Sequence, residues 1–462
     1  MLKDLAEIIS IKSVLSEAKE GAPFGEGCRE ALDWFLAKAE EYGFRTGSYD
    51  GYCGYAEYGE GKECIGALCH LDVVPAGEGW STDPFTLVIK DDTLFGRGVV
   101  DDKGSVVMCL HALKEIKESA IKLNKRIRII AGCNEEHGSA CIKHYVNHGE
   151  IPSMSFVPDS DFPLINSEKG ILHLMYSVPL DDFFAKNIAF ISGGESYNVV
   201  PDHAKISIFR DSELGKQILD ICGGEACDKL FTSTQVVGGI LAAGYRIEDY
   251  SITAEDEVIT IEAKGVAGHA MAPNKADNAI WKLFRLLACF TDKSDLVNFF
   301  NEKICLNTGA EALGIYKSDE VSGELTMSMG IIKVDDDKLY FSLDMRLPVC
   351  ASHEEIKKQI LNQLPGRSKV EEKKYAPNLY IKKDSPLVQT LLSVYEKCTG
   401  KEGKCLICGG GTYARELPNT VAFGPTFEGT ETNIHNIDEH VSIEEFYKAA
   451  EIYKHAMIEL AK

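Results

Sequence analysis

The side chains with most chemical reach are imidazoles and carboxylates gathered in a few short segments. His70-Leu71-Asp72 ends an apolar run. On an extended chain, side chains two apart share a face. A metal-ligating imidazole commonly gives its second N–H to a carboxylate, which fixes the tautomer. His-x-Asp thus supplies a ligand and its orienting group together, although alone such a pair is more often a surface ion pair. Asp101 and Asp102 lie in Gly96-Arg97-Gly98-Val99-Val100-Asp101-Asp102-Lys103-Gly104. Helix capping accounts for one of these acids, because an N-cap carboxylate satisfies open N–H groups and suits the helix dipole. It leaves the other unexplained. Glu135 and Glu136 lie in Cys133-Asn134-Glu135-Glu136-His137-Gly138. Neighbours on an extended chain point opposite ways, so one glutamate can bind a metal while the other addresses its water. Asp159 follows in Val157-Pro158-Asp159-Ser160-Asp161, and Asn433-Ile434-His435-Asn436-Ile437-Asp438-Glu439-His440 offers a further imidazole. Together these make a borderline N/O ligand set, suited to Zn²⁺ and also to Mn²⁺ or Co²⁺.

Such groups act together only if the fold brings their segments to one place. Cys64 to Val74, Arg126 to Cys133 and Met154 to Val157 read as short buried strands. Gly27 to Glu41, Gly104 to Ile116 and Ser139 to His148 read as helices from their three- and four-residue apolar spacing. Phe85 to Phe95 reads as a hairpin turning at Asp91-Asp92. This rhythm predicts an α/β layer with a mixed, largely parallel sheet flanked by helices. Ligands gather at the carboxyl ends of strands in such sheets, and the ligand-bearing segments follow strands. The middle has α+β texture. Its strands are expected at Ala204 to Phe209, Glu257 to Ala263, Thr326 to Ile332 and Leu339 to Leu343, and its helices at Ala276 to Phe290 and His353 to Leu364. Alternation returns with a helix at Ser385 to Lys397, strands near Cys405 and Val421, and a helix from Ile443 to Leu460. The expected organisation is a discontinuous catalytic domain, 1–178 with 382–462, and an inserted α+β lid domain, 179–381.

Composition removes other classes. The 462 residues exceed one ordinary domain. Hydrophobic residues at 45% and charged residues at 26% exclude wholesale disorder. Lys+Arg 49 against Asp+Glu 71 gives a net charge of −22, which disfavours nucleic acid and anionic membrane surfaces. Met1 to Ser10 carries Asp4 and Glu7 and does not read as a secretory signal. The uncharged run Leu230 to Tyr245 is too short and polar to span a bilayer. Fifteen cysteines without a framework spacing read as free thiols in a reducing cytoplasm. Cys405-Leu-Ile-Cys408 raises a redox reading that needs a reactive thiol pair.

The run Cys69 to Trp80 (CHLDVVPAGEGW), Gly96-Arg97-Gly98 with Asp101-Asp102-Lys103-Gly104, and Glu135-Glu136 resemble the dinuclear-metal exopeptidase and deacylase family. That family includes acetylornithine deacetylase, succinyl-diaminopimelate desuccinylase, aminoacylase, carboxypeptidase G, carnosinase and peptidase V. Pro158-Asp159, Ile165 to Gly170 (INSEKG) and the long middle region are most similar to the peptidase V dipeptidase branch. The resemblance implies that Asp101 bridges two metal ions, that His70 and Asp159 complete one site, and that Glu136 and His435 complete the other. It implies that Asp72 orients His70, that Glu135 is the general base, and that the peptide after Asp101 is cis. Asn134 departs from the family, where many relatives have Asp. Asp159 stands where many deacylases have Glu. His269 in Gly268-His269-Ala270, Asn198 in Ser196 to Pro201, Arg346 in Asp344 to Pro348, and Gly410 in Gly409-Gly410-Gly411-Thr412 match substrate-binding positions. For Arg346, an ion pair with Asp344 on the same strand face is the plainer reading.

The expectation is a cytoplasmic metallohydrolase holding two divalent ions, Zn²⁺ foremost, and cleaving short peptides, above all dipeptides, from a free N-terminus. An N-acyl amino acid deacylase on the same scaffold is the alternative, and a non-catalytic metal- or peptide-binding protein a remoter one. Family members with a much shorter inserted domain dimerise and borrow a lid histidine from the partner. The longer insertion here implies a monomer.

Overall fold

The computed structural model describes residues 1–119, 121–222 and 234–462. They form two compact units, Met1–Glu168 with Leu379–Lys462, and Lys169–Asn378. The expected boundaries, 178/179 and 381/382, lie ten and three residues downstream of these; the first differs because the strand Gly170–Pro179 pairs with Lys338–Leu347 and Lys369–Ala376, inside the second unit.

The first unit holds a nine-stranded mixed sheet among the described residues. Its centre is four parallel strands in the order Arg126–Gly132, Cys64–His70, Met154–Val157 and Thr420–Ala422. Every residue of Cys64–His70 is buried, which suits the continuous apolar run of a strand covered on both faces. That strand stops at His70, short of the expected Val74. Leu71 N–H still donates to Gly132 O at 2.8 Å, at the end of the neighbouring strand, but Val73 N–H turns to Ser13 O at 3.0 Å, so the chain leaves the ladder. The antiparallel strands Arg45–Tyr49 and Cys53–Tyr58 extend one edge. The hairpin turns at Asp91 and Asp92, both with positive φ. Its second strand, Thr93–Phe95, also pairs with His440–Ser442.

The helix Lys103–Glu118 forms on the apolar spacing Val106, Val107, Leu110, Leu113 and Ile116, all buried. It packs against Ile443–Ala461. Each such side chain contributes about 1.5–3 kcal/mol through burial. Gly104 lets the helix start close to its approach: a Cβ there would meet Val99 O at 2.0 Å.

The second unit is built on another nine-stranded sheet, whose strands pair antiparallel among the described residues. Helices Ala279–Leu287 and His353–Leu361 contact this sheet. The expected strand Thr326 to Ile332 is split into Thr326–Ser328 and Ile332–Asp335. Part of the run Leu230 to Tyr245 lies outside the described residues; the rest includes the helix Thr234–Ala242. Among the described residues, no helix is long and apolar enough to cross a membrane.

Candidate metal centre

Adjacent parallel strands deliver the first ligand candidates. His70 ends one, Glu135 and Glu136 follow the Arg126–Gly132 strand, and Asp159 follows Met154–Val157. Asp101 comes from the loop before Lys103–Glu118, and His435 from the turn before His440–Ser442. His70 Nε2 lies 2.8 Å from Asp101 Oδ1 and 3.7 Å from Asp159 Oδ2. His435 Nε2 lies 2.9 Å from Asp101 Oδ2 and 3.2 Å from Glu136 Oε1. Two trios result, His70–Asp101–Asp159 and Asp101–Glu136–His435, each with its ligand atoms within 4.8 Å of one another. Asp101 belongs to both and turns one oxygen to each.

These residues fit a pair of divalent cations. His70 Nε2 and Asp101 Oδ1 are buried side by side, and neither makes a hydrogen bond of acceptable geometry. Two lone-pair donors in that position call for a common electrophile. Among the described residues, no Lys or Arg forms an ion pair with Asp72, Asp101, Glu135, Glu136 or Asp159; their charged neighbours are the imidazoles of His70 and His435. Burial, reinforced by Asp101 although opposed by His70, pushes the Asp159 carboxyl well up. Against burial, His435 and His70 hold Asp101 well below the usual carboxylate range. Hydrogen bonding to Asp101 and Glu136 pushes His435 up to about 10.

The loop acids differ from the simplest sequence expectation. Asp102 stands at the N-cap of its helix without capping it. Its Oδ2 instead accepts the His70 backbone N–H at 3.0 Å, tying the bridging loop to the His70 strand. The peptide between Asp101 and Asp102 is cis. Asp72 accepts the Glu135 N–H at 3.0 Å and the Glu136 N–H at 3.2 Å, one on each oxygen. His70 Nδ1 lies 2.9 Å from the Asp72 carbonyl oxygen and 3.5 Å from its carboxylate. The backbone of Asp72 therefore fixes the imidazole, while its side chain fixes the glutamate turn. Glu135 and Glu136 precede the helix Ala140–His148 and its N-cap Ser139, so they do not serve as its first-turn acids. Burial, opposed by His70 and reinforced by Glu136, Asp101 and Asp72, pushes the Glu135 carboxyl up to about 8.

In the second unit, Asn198 and His269 come together on a short ribbon. Val199 pairs with His269, and Ala270 N–H donates to Asn198 O at 2.9 Å. Met271 N–H donates to His269 Nδ1 at 3.1 Å. That bond assigns the proton of a neutral imidazole to Nε2, which leaves Nε2 as a donor. Arg346 is 3% exposed and grips Asp344 with two parallel hydrogen bonds, Nε to Oδ1 at 2.7 Å and Nη2 to Oδ2 at 2.9 Å. The expected same-face ion pair is therefore present.

A family model described as "Peptidase family M20/M25/M40" matches residues 67–459. The chain belongs to this peptidase family. "Putative dipeptidase YtjP" of Bacillus subtilis is 35% identical over all of this chain and 97% of its own length. "Putative dipeptidase SAB1611c" of Staphylococcus aureus is 32% identical over all of this chain and 97% of its own. In fold, the crystal structure of human carnosine dipeptidase 1 is similar at a TM-score of 0.59, with 15% identity, over all of this chain and 95% of that one.

Glu168 and Glu439 are buried carboxylates of the peptidase to which its sequence motifs give no role. Glu168 accepts Thr412 Oγ1 at 2.7 Å and Arg415 Nε at 3.0 Å, while Arg415 Nη2 donates to Gly410 O at 2.7 Å. The Gly410 loop is thereby clamped to the strand Leu164–Glu168. Gly411 has no room for a side chain, since a Cβ would meet Arg415 Nη2 at 1.9 Å. Glu439 is the other, and it lies four residues after His435. Nothing in spacing alone separates either from a surface acid. Cys405 and Cys408 sit three apart on the strand Cys405–Cys408, so their side chains point to opposite faces. Both thiols are free, and burial raises both, Cys408 to about 11. This geometry does not make the reactive pair that a redox reading requires.

Proposed function

We propose that this protein is a dinuclear metallopeptidase that hydrolyses dipeptides with a free N-terminus. The observation that carries the reading is the shared aspartate: the two oxygens of Asp101 each face a different imidazole, and each imidazole belongs to its own trio with a further acid. His70, Asp101 and Asp159 would hold one ion, and Asp101, Glu136 and His435 the other. When bound, two such cations polarise the scissile carbonyl and acidify water.

Glu135 takes the proton of the attacking water and returns it to the leaving amine. Its raised carboxyl suits a proton carrier, and nearby cations would draw it back toward the ionised form. His269 donates from Nε2 to the developing oxyanion. Asn198 holds the substrate beside it, and Gly410 lines the substrate loop. Arg346, pre-set by Asp344, receives the substrate carboxylate through its planar fork. The inserted region, 179–381 on the sequence reading, acts as a hinged lid that excludes water and limits substrate length. A cytoplasmic location and Zn²⁺ as the resident metal complete the proposal.

The deciding experiment assays Ala-Ala-type dipeptides against N-acetyl and N-succinyl amino acids, on chelated protein reloaded with Zn²⁺, Mn²⁺ or Co²⁺. Metal-dependent dipeptide cleavage is expected. Preference for the acylated substrates would make the protein a deacylase, and metal binding without hydrolysis of either would make it a binding protein.

A further inference from the structure

His435 is far in sequence from the other ligand candidates, yet it must share an aspartate with His70. Glu439 offers the physical means. Its carboxylate is fully buried. Oε2 accepts Arg97 Nη1 at 2.7 Å and the Gly98 N–H at 3.0 Å. Oε1 accepts the Val100 N–H at 3.0 Å and the Asp101 N–H at 3.2 Å. The backbone completes the join: Gly96 N–H donates to Glu439 O at 3.1 Å, and Arg97 Nη2 to Asn436 O at 3.0 Å. The Trp80 ring covers the guanidinium, with Cζ 5.1 Å from its centroid. Gly98 has φ +85°, and a Cβ there would meet Val73 Cγ1 at 3.0 Å. Glycine therefore permits the turn that aims the N–H groups of this loop inward.

We propose that Glu439 is a positioning residue that locks the Asp101 loop to the His435 turn, so that the shared aspartate and the distant imidazole meet in one geometry. The inference rests on the dinuclear reading above. One carboxylate collects three backbone N–H groups from the loop that ends at Asp101, including that of Asp101 itself. An amide in its place would turn an NH₂ toward those donors on one side. Burial asks only that the acceptor sites of Glu439 be filled; what points to positioning is that three of the donors are backbone N–H groups of the loop that ends at Asp101. The effect belongs on metal affinity, where groups that orient ligands are worth about 10–100-fold.

The test uses the full chain, stripped by chelator and titrated calorimetrically with Zn²⁺. Co²⁺ absorption reads ligand geometry in parallel, and apo-protein melting reads stability. Glu439→Gln is expected to weaken at least one of the two ions about 10–100-fold and to change the Co²⁺ bands, with the fold retained by circular dichroism. Arg97→Lys keeps the charge and all three N–H contacts but gives up the Nη2 bond to Asn436 O, so it should lower apo stability and weaken metal binding clearly less than Glu439→Gln does. Should Glu439→Gln not fold, Glu439→Asp, one methylene shorter, must show the same loss of affinity. Wild-type affinity for both ions in a folded Glu439 variant would overturn the assignment, as would an equal loss in Arg97→Lys. Failure of the wild-type chain to bind two ions would instead bring down the dinuclear reading itself.

Discussion

Glu135 and Asp101 make opposite predictions although both are acids of one site. Glu135 belongs to neither ligand trio, and its backbone is held by Asp72. Glu135→Gln should therefore keep both metals and the melting temperature while turnover falls by about 10²–10⁴, the scale of a lost general base. Near-normal turnover with full metal content would remove Glu135 from the mechanism. Asp101 faces both imidazoles, so Asp101→Ala should lose metal and activity together. Elemental analysis of the dialysed variant checks this, and two ions per chain would reject the shared role. The ligand candidates His70, Asp101, Glu136, Asp159 and His435 were legible because they stand in short motifs that, taken together, resemble one family. The supports were not. Capping accounted for one of Asp101 and Asp102, yet Asp102 holds the His70 N–H, and the Asp72 side chain serves the glutamate turn more than the imidazole. Spacing reports which groups are near, not which of their atoms meet.

At the scale of elements, the sequence was most readable where one period dominates. Lys103–Glu118 and Ile443–Ala461 carry helical spacing on their buried residues and were foreseen. Gly170–Pro179 has a clean alternation from Leu172 to Val178, with His173, Met175 and Ser177 outward, but its polar positions disguised it. Arg45–Tyr49, half-buried at most and short of apolar residues, gave no period to detect. At the join between the helices Leu2–Ile9, Glu26–Glu41 and Lys103–Glu118, an electrostatic contact inside the apolar packing was also invisible. Asp4 is buried among them. It accepts the Tyr42 hydroxyl and lies 2.7 Å from His111 Nε2 and 3.3 Å from Lys38 Nζ. Burial raises its carboxyl, but these three partners outweigh it and bring it down to about 2, from 3.8. A carboxyl depressed in the folded state stabilises above its unfolded pKa, and that stability is lost as pH falls from about 4 to about 2. Asp4→Asn should cost on the order of 1 kcal/mol at pH 7, after allowance for solvent screening. The gap to wild type should narrow below pH 4. Urea midpoints for both proteins from pH 7 to pH 3 check it, and a gap independent of pH would assign the loss to packing.

For the whole molecule, the open question is whether one chain supplies every working group. The base and the ligand candidates lie in one compact unit, whereas His269, Asn198 and Arg346 lie in the other. An oxyanion donor acts only at hydrogen-bond distance, ~2.7–3.1 Å from the developing charge. The donor unit must therefore come from the same chain or from a second copy. The second unit runs from Lys169 to Asn378 and carries its own nine-stranded sheet and hydrophobic core. A unit of that size can reach a substrate by hinge motion without a partner's contribution. A net charge of −22 also sets identical chains against each other at low ionic strength. The protein is accordingly expected to work as a monomer of 50.8 kDa. Mixing His269→Ala with Glu135→Gln protein, each inactive alone, under conditions that permit subunit exchange tests this directly. If His269 acts within its own chain, no combination restores a complete site, and the mixture stays inactive at every ratio. If a partner supplied the histidine, some sites would pair an intact Glu135 with an intact His269, and activity would return. Light scattering on the same samples separates the two remaining cases: a dimer mass without recovered activity would leave the histidine acting in its own chain and overturn only the monomer, whereas recovered activity would overturn both.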